Sequence, residues 1–209
     1  MIRPDGFDGA AFGDAGDGDA RNNAAARFAM SEALGISSDW AFVSQVHGSV
    51  AVEALVAGDL GEADAIYSGH AGLPMTVATA DCVPIVVEGP AIAGVIHAGW
   101  RGLDAGVIPS TLGAIAAHGD EVTRAAIGPA IGPCCYEVGQ DVAGRFDGFV
   151  GTTKEGAVSV DLAAVAAHQL GDLATWSADA CTSCGEGFNS FRRNETIDRQ
   201  VAVAWLPPR

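Results

Sequence analysis

Between Trp40 and Ile96 the chain breaks into short runs rich in branched and aromatic residues: Trp40–Val46, Val50–Leu55, Met75–Thr79, Val83–Val87 and Ile92–Ile96, separated by Gly, Asp and Pro. Runs of this length and composition favour strands over helices, so the middle of the chain must build a sheet. Further strands are expected at Val122–Ile127 and Gln200–Leu206. Helices are expected from an Asp19 cap to Gly35, over Leu103–Ala117, and from an Asp161 cap to Leu170. In the first helix Ala25, Phe28, Ala29 and Leu34 are the candidates for the buried side. In the second, Pro109 fits only near a regular start or at a bend. Helices and strands are interspersed without a βαβ rhythm, and no GxGxxG follows a strand. The fold class is therefore α+β with mixed sheets, not a doubly wound nucleotide fold. Residues 1–18, rich in Gly and Asp, lack both apolar periodicity and a calcium-loop pattern and read as a loop.

A single domain spanning 1–209 is the natural size for this chain. Hydrophobic residues make up 49% and charged residues 18%, enough for a core and too apolar for disorder. Eleven Lys plus Arg against 26 Asp plus Glu give a formal charge of -15, which repels a phosphate backbone and argues against a nucleic-acid partner. The opening residues lack a basic start followed by an apolar stretch, and no run is long enough to span a bilayer, so no membrane association is expected. Five cysteines in a chain that can fold without staples suit a reducing compartment, and the cytoplasm is the expected location.

Three metal-ligand types stand where strands give way to turns: His47 in SQVHG, Cys82 in TADC and His97 in HAGWRG. Alone, each has a blander reading: a hydrogen-bonded structural histidine, or a small buried thiol. Together, two imidazoles and one thiolate suit zinc, and three protein ligands leave a fourth position for water or substrate. Arg101, after the Gly99–Trp100 turn, is a candidate for binding phosphate or a nucleoside oxygen; its alternative is pairing with a carboxylate such as Asp81. Arg192 is a second substrate-binding candidate. On a strand, Arg192 and Arg193 would point to opposite faces, so at most one need reach a pocket. Asp81 is a candidate acid or base. Cys181 and Cys184 form a CxxC, but the contiguous Cys134–Cys135 pair does not make a second such loop, so a four-cysteine zinc site is not expected. His70, His118 and His168 receive no function.

QVHG, ATADCVPIVV, VIHAGWRG, AIGPAIGPCCYEVG and FNSFRRNETIDRQ follow one another in the order found in the multicopper polyphenol oxidase, laccase-like family, also called the YfiH or DUF152 family, which the chain resembles over about residues 41–206. The resemblance implies an α/β/β/α arrangement with helices outside two sheets. It puts His47, Cys82 and His97 at the family's metal positions, where they carry the chemistry. It also implies phosphorolysis of adenosine, inosine and methylthioadenosine and deamination of adenosine, with zinc as cofactor and nucleoside and phosphate as partners. The C-terminal motif departs from SYRRDGxTGR: Phe191 replaces tyrosine, Asn194 aspartate, Glu195 glycine, and Ile197–Asp198 a Thr-Gly pair. The N-terminal part is short and lacks the usual opening strand motif. Alternatives are a copper-dependent polyphenol oxidase using Cu2+, a peptidoglycan precursor editing factor and a non-catalytic metal-stabilised binding protein. Homo-oligomerisation is left open.

Overall fold

The computed structural model describes residues 1–208. Its strands are, in chain order, β1 (Ala10–Phe12), β2 (Ala41–Ser44), β3 (Ala51–Glu53), β4 (Gly58–Glu62), β5 (Ala65–Ser68), β6 (Met75–Thr79) and β7 (Val83–Glu88). Then come β8 (Ala93–Ala98), β9 (Arg124–Ile127), β10 (Val150–Thr152), β11 (Val158–Val160), β12 (Ala174–Ser177) and β13 (Gln200–Ala204). The helices are α1 (Ala24–Leu34), α2 (Trp100–Asp104), α3 (Val107–His118), α4 (Gln140–Ala143), α5 (Leu162–Leu170) and α6 (Phe191–Asn194).

Two mixed sheets carry the fold, ordered β1-β13-β6-β2-β4 and β12-β9-β7-β8-β5-β3, and β10 and β11 form a separate hairpin. Side-chain alternation along the strands explains how the sheets stack. In the first sheet Met75, Val77, Ala202 and Ala204 meet Ile66, Val86, Val95 and Ala126 of the second in one buried layer. On the outer side of the first sheet, Ala78, Val201 and Val203 pack with Met30 of α1 and with Trp40. On the outer side of the second, Ile85, Val87 and Ile96 pack with Ile108 and Ile115 of α3 and Val165 and Leu170 of α5. The result is the α/β/β/α layering implied by the family resemblance. Strands in the middle of both sheets are buried on both faces, which is why they read as continuous apolar runs.

The N-terminal segment is not all loop: β1 pairs antiparallel with β13, Phe12 is buried, and Ala15–Asp17 forms a 3-10 turn capped by Asp14. A three-residue strand of Ala-Ala-Phe is too short for periodicity to reveal it. Helix α1 starts later than expected, because Asp19 is occupied with Asn22 while the Asn23 side chain accepts the N–H groups of Ala25 and Ala26. Its buried face agrees with expectation only at Leu34, which packs partly buried against the Met30–Trp40 cluster. Met30 and Ser31 point inward, with the Trp40 indole donating to Ser31 Oγ at 3.0 Å, whereas Ala25 and Ala29 are exposed and Phe28 is 58% exposed. The expected Leu103–Ala117 helix is two helices broken at Gly106, whose left-handed φ of 78° suits only glycine well. Pro109 then lies in the first turn of α3, where its missing N–H is not needed.

Candidate functional site

Each of the three candidate ligands is placed by a constrained stretch of backbone. His47 follows β2 in the left-handed region, with φ 60°, a conformation that a residue with a Cβ adopts only when its surroundings impose it. Asp64, fully buried just before β5, imposes it: its carboxylate accepts the backbone N–H groups of Val46, His47 and Gly48 at 3.3, 2.9 and 2.6 Å. Gln45 pins the same loop to β6, donating to the Ala78 carbonyl and accepting the Ala78 N–H. Cys82 follows Asp81, which has φ 91°, in the turn between β6 and β7. The Asp81 carboxylate accepts the Thr182 hydroxyl and the Arg192 backbone N–H, each at 2.7 Å, so it braces the Cys82 turn from two distant segments. His97 lies within β8 opposite Pro84, on the same strand face as Ala93 and Val95, and is 3% exposed.

Asp64 also meets His97, with Nδ1 of the imidazole 2.8 Å from Oδ1. Donation from Nδ1–H leaves Nε2 for the Cys82 thiol, while the His47 ring meets the His97 ring edge-on at 4.7 Å. The three donor atoms lie within 4.8 Å of one another, and His47 Nε2 stands 3.9 Å from Cys82 Sγ. Burial pushes the Cys82 thiol up, but the His97 charge and hydrogen bonds from both histidines outweigh it and bring the thiol down to about 6. Burial lowers His97, yet the Cys82 thiolate and Asp64 raise it to about 9. Without metal, then, the centre is a carboxylate–imidazolium–thiolate row. The donor chemistry fits a zinc ion: a thiolate is already formed, one imidazole is oriented by a carboxylate, and the other faces solvent. Gly99 completes the cradle, since a Cβ there would lie 2.9 Å from His47 Cδ2 and 3.1 Å from Cys82 Sγ.

The centre opens into a cavity of 530 Å³ that is also lined by Gln45, Trp100, Arg101, Tyr136, Arg192 and Arg199. Both expected substrate-binding arginines therefore reach the same space as the three ligands. Arg101 does not pair with Asp81; its guanidinium lies over the Trp100 ring, 4.3 Å from the centroid. Arg192 lies over Tyr136 at 5.1 Å and donates to the Glu137 carbonyl at 2.7 Å. Arg192 and Arg193 occupy the helix α6, not a strand, and they separate by function: Arg193 turns away to donate to the carbonyls of Thr182, Ser183 and Gly185. Asp81 also lines the cavity, and each of its carboxylate oxygens accepts one of the hydrogen bonds that brace the Cys82 turn.

Asp64, Gln45, Thr182 and Tyr136 escaped sequence reasoning. Only Tyr136 carried a signal, since it sits in the CCYEVG stretch; the others acquire meaning from partners distant in the chain. The cysteines also depart from expectation. A turn in which the Cys135 and Tyr136 N–H groups both donate to the Gly132 carbonyl brings Cys134 and Cys135 to the CxxC loop, and the four thiols of Cys134, Cys135, Cys181 and Cys184 lie within 4.8 Å of one another. The turn, not the spacing along the chain, sets where the sulfurs of the contiguous pair point.

Fold and site together define a class: a two-sheet α/β/β/α protein with an open centre of two imidazoles and a thiol in a basic, aromatic cavity. The family described as multi-copper polyphenol oxidoreductase laccase matches residues 4–207, and the chain belongs to that family, whose solved members include YfiH proteins. A purine nucleoside phosphorylase of Pseudomonas aeruginosa is 35% identical over 192 residues, covering 85% of this chain and 77% of that protein. One of Aquifex aeolicus is 34% identical over 145 residues, covering 67% of this chain and 69% of that protein. The crystal structure of YlmD from Geobacillus stearothermophilus is similar with a TM-score of 0.81 at 27% identity, covering 91% of this chain and 82% of that one. For the hypothetical protein YfiH of Bacillus licheniformis the TM-score is 0.80 at 26% identity, over 90% and 82%. Among the described residues no helix is long and apolar enough to cross a membrane.

Proposed function

We propose that the chain is a zinc-dependent enzyme of purine nucleosides that phosphorolyses adenosine, inosine and methylthioadenosine and deaminates adenosine. The reading is carried by one juxtaposition: the donor set of His47, Cys82 and His97 shares a single cavity with Arg101, Arg192 and Tyr136. The relatives named purine nucleoside phosphorylase support the substrate class. His47, Cys82 and His97 would hold the zinc, which when bound would supply a Lewis acid for negative charge developing during reaction.

Phosphorolysis breaks the bond from ribose C1′ to the purine nitrogen and forms a bond from C1′ to a phosphate oxygen, so an anion and a heterocycle must be held side by side. Arg101 and Arg192 offer forked N–H donors to that anion, and stacking on Trp100 and Tyr136 holds both guanidinium groups in place. Burial and the nearby Cys82 push the Tyr136 phenol up to about 12 against the pull of the two arginines. It therefore stays protonated at neutral pH, suited to donating a hydrogen bond to substrate and not to taking a proton. A cavity of 530 Å³ falls in the range, about 300–1,000 Å³, of sites for molecules of nucleoside size.

Zinc-loaded protein should release free base from inosine and methylthioadenosine only when phosphate is supplied, and ammonia from adenosine without it, as read by chromatography. If every nucleoside is left intact, the reading fails; tight nucleoside binding without turnover would then favour a metal-stabilised binding protein. The family description favours a second reading, copper-dependent phenol oxidation. Ligand arithmetic weighs against it, because the chain has five histidines and only two stand at the centre. Oxygen uptake by copper-loaded protein with a phenol would support the second reading.

A further inference from the structure

The four thiols outside the His47–Cys82–His97 centre converge where two loops meet, and the proposed activity gives them no role. We propose that Cys134, Cys135, Cys181 and Cys184 form a second, structural zinc site that clamps the loop carrying Tyr136 to the loop carrying Thr182. Tetrahedral zinc with bonds of about 2.3 Å to sulfur requires sulfur–sulfur edges of about 3.8 Å. Cys134 Sγ stands 3.6 Å from Cys135 Sγ and 3.7 Å from Cys184 Sγ, and all four sulfurs lie within 4.8 Å. Small side-chain rotations close the remaining edges.

The loops are built around the sulfurs. A parallel bridge joins Ala130 to Cys181, and the Thr182 N–H donates to the Ala130 carbonyl at 2.9 Å. Gly132 lies against the site, where a Cβ would be 3.3 Å from both Cys134 Sγ and Cys181 Cβ, and its N–H donates to Cys181 Sγ at 3.2 Å. Gly185 closes the CxxC turn by donating to the Cys181 carbonyl, with no room for a Cβ beside that oxygen. Arg193 fastens the same turn through the carbonyls of Thr182, Ser183 and Gly185. Hydrogen bonds to ligating sulfur and a turn formed around it are the outer-shell features that a thiolate site needs.

Binding one Zn2+ displaces four S–H protons to solvent and transfers no electrons, leaving a centre of charge -2. The Lys154 ammonium interacts with Cys184 and offsets part of that charge. Four protein thiolates fill a tetrahedron and leave no position for substrate, so the role is structural. A disulfide explains the geometry less well. Adjacent residues have Cα atoms about 3.8 Å apart, below the range of about 4.4–6.8 Å that disulfides favour, which disfavours a Cys134–Cys135 bond. Closing Cys134 to Cys184 would leave Cys135 and Cys181 without a purpose.

The clamp would act on the first centre through contacts already described: Tyr136 lines the cavity, and Thr182 holds Asp81 beside Cys82. The test is metal content by mass spectrometry of full-length protein purified without exposure to oxygen. Two zinc per chain are expected in the wild type, one in Cys184→Ser, one in His47→Ala/Cys82→Ala, and none when the changes are combined. In case Cys184→Ser does not fold, X-ray absorption of the His47→Ala/Cys82→Ala protein provides a second readout, with four sulfur neighbours at about 2.3 Å expected around zinc. A single zinc in the wild type that Cys184→Ser retains would overturn the proposal. So would a Cys134–Cys184 disulfide, seen as loss of two hydrogens in the intact mass, or iron with acid-labile sulfide in place of zinc.

Discussion

A carboxylate cut off from solvent needs either a cation or several donors, and Asp64 has both: His97 Nδ1–H on one side and three consecutive backbone N–H groups on the other. Burial raises its pKa, but the hydrogen bond from His97, then those from Gly48 and His47, more than reverse this and hold it below 3.8. Its contribution to stability is thus complete above 3.8 and lost as pH falls through the depressed value. The contribution of His97 has the opposite sign, complete below 6.5 and lost as pH rises through about 9. Asp64→Asn should lower zinc affinity at the first centre by about 10–100-fold, measured by competition with a chromophoric chelator in protein lacking Cys184. An unchanged affinity would mean that Asp64 only shapes the His47 loop. Cys82 provides a pH test in metal-free protein: thiolate, not thiol, attacks alkylating agents, so its labelling should rise with a midpoint near 6. Peptide mass spectrometry separates it from the other cysteines, and a midpoint near the ordinary thiol value, about 8.5, would remove the imidazolium–thiolate pair. His47, Cys82 and His97 were legible because they sit in distinctive motifs at strand ends. Asp64 was not, because a lone aspartate before a strand looks like any turn residue until three N–H groups from 18, 17 and 16 residues upstream arrive at it.

At the scale of elements, the start of α2 decides whether the ligands can approach. Gly99 has φ -76°, which any residue tolerates, so its glycine is needed for space and not for backbone freedom. Gly99→Ala should fold, losing about 1 kcal/mol or less at the helix start, while its methyl group wedges between His47 and Cys82. Zinc affinity at that centre should fall about tenfold or more, equivalent to about 1.4 kcal/mol, with a melting temperature that shifts only slightly. Equal affinities in the two proteins would show that the cradle has slack. Legibility divided by burial at this scale. The doubly buried β6, β7 and β8 read clearly, whereas β4, with sequence GDLGE, and β12 are largely exposed and carry no hydrophobic pattern. Helix α6 left no trace in the sequence pattern because its four residues depend on the Ser190 cap, whose hydroxyl accepts the Arg193 N–H, and not on periodicity.

For the molecule as a whole, the open question is what joins the two sheets, and Phe12 supplies part of the answer. It belongs to β1 at the edge of the first sheet, yet its ring lies against Gly128, just after β9, and stacks with Trp176 of β12 at 6.2 Å and 8°. A segment that composition marks as loop thus inserts a large side chain into the layer between the sheets. Phe12→Ala should lower unfolding free energy by about 3–5 kcal/mol in denaturant titration, the usual range for a buried aromatic ring. A loss within the ±0.5 kcal/mol typical of surface positions would restore the loop reading of residues 1–18. Gly128 sharpens the test, because a Cβ there would run into the Phe12 ring. Gly128→Ala alone should destabilise by overpacking, about 1–3 kcal/mol, but in the Phe12→Ala background the added methyl enters vacated space and the loss should shrink or vanish. A double-mutant cycle measures that coupling directly, and additive losses would mean that the two residues do not meet.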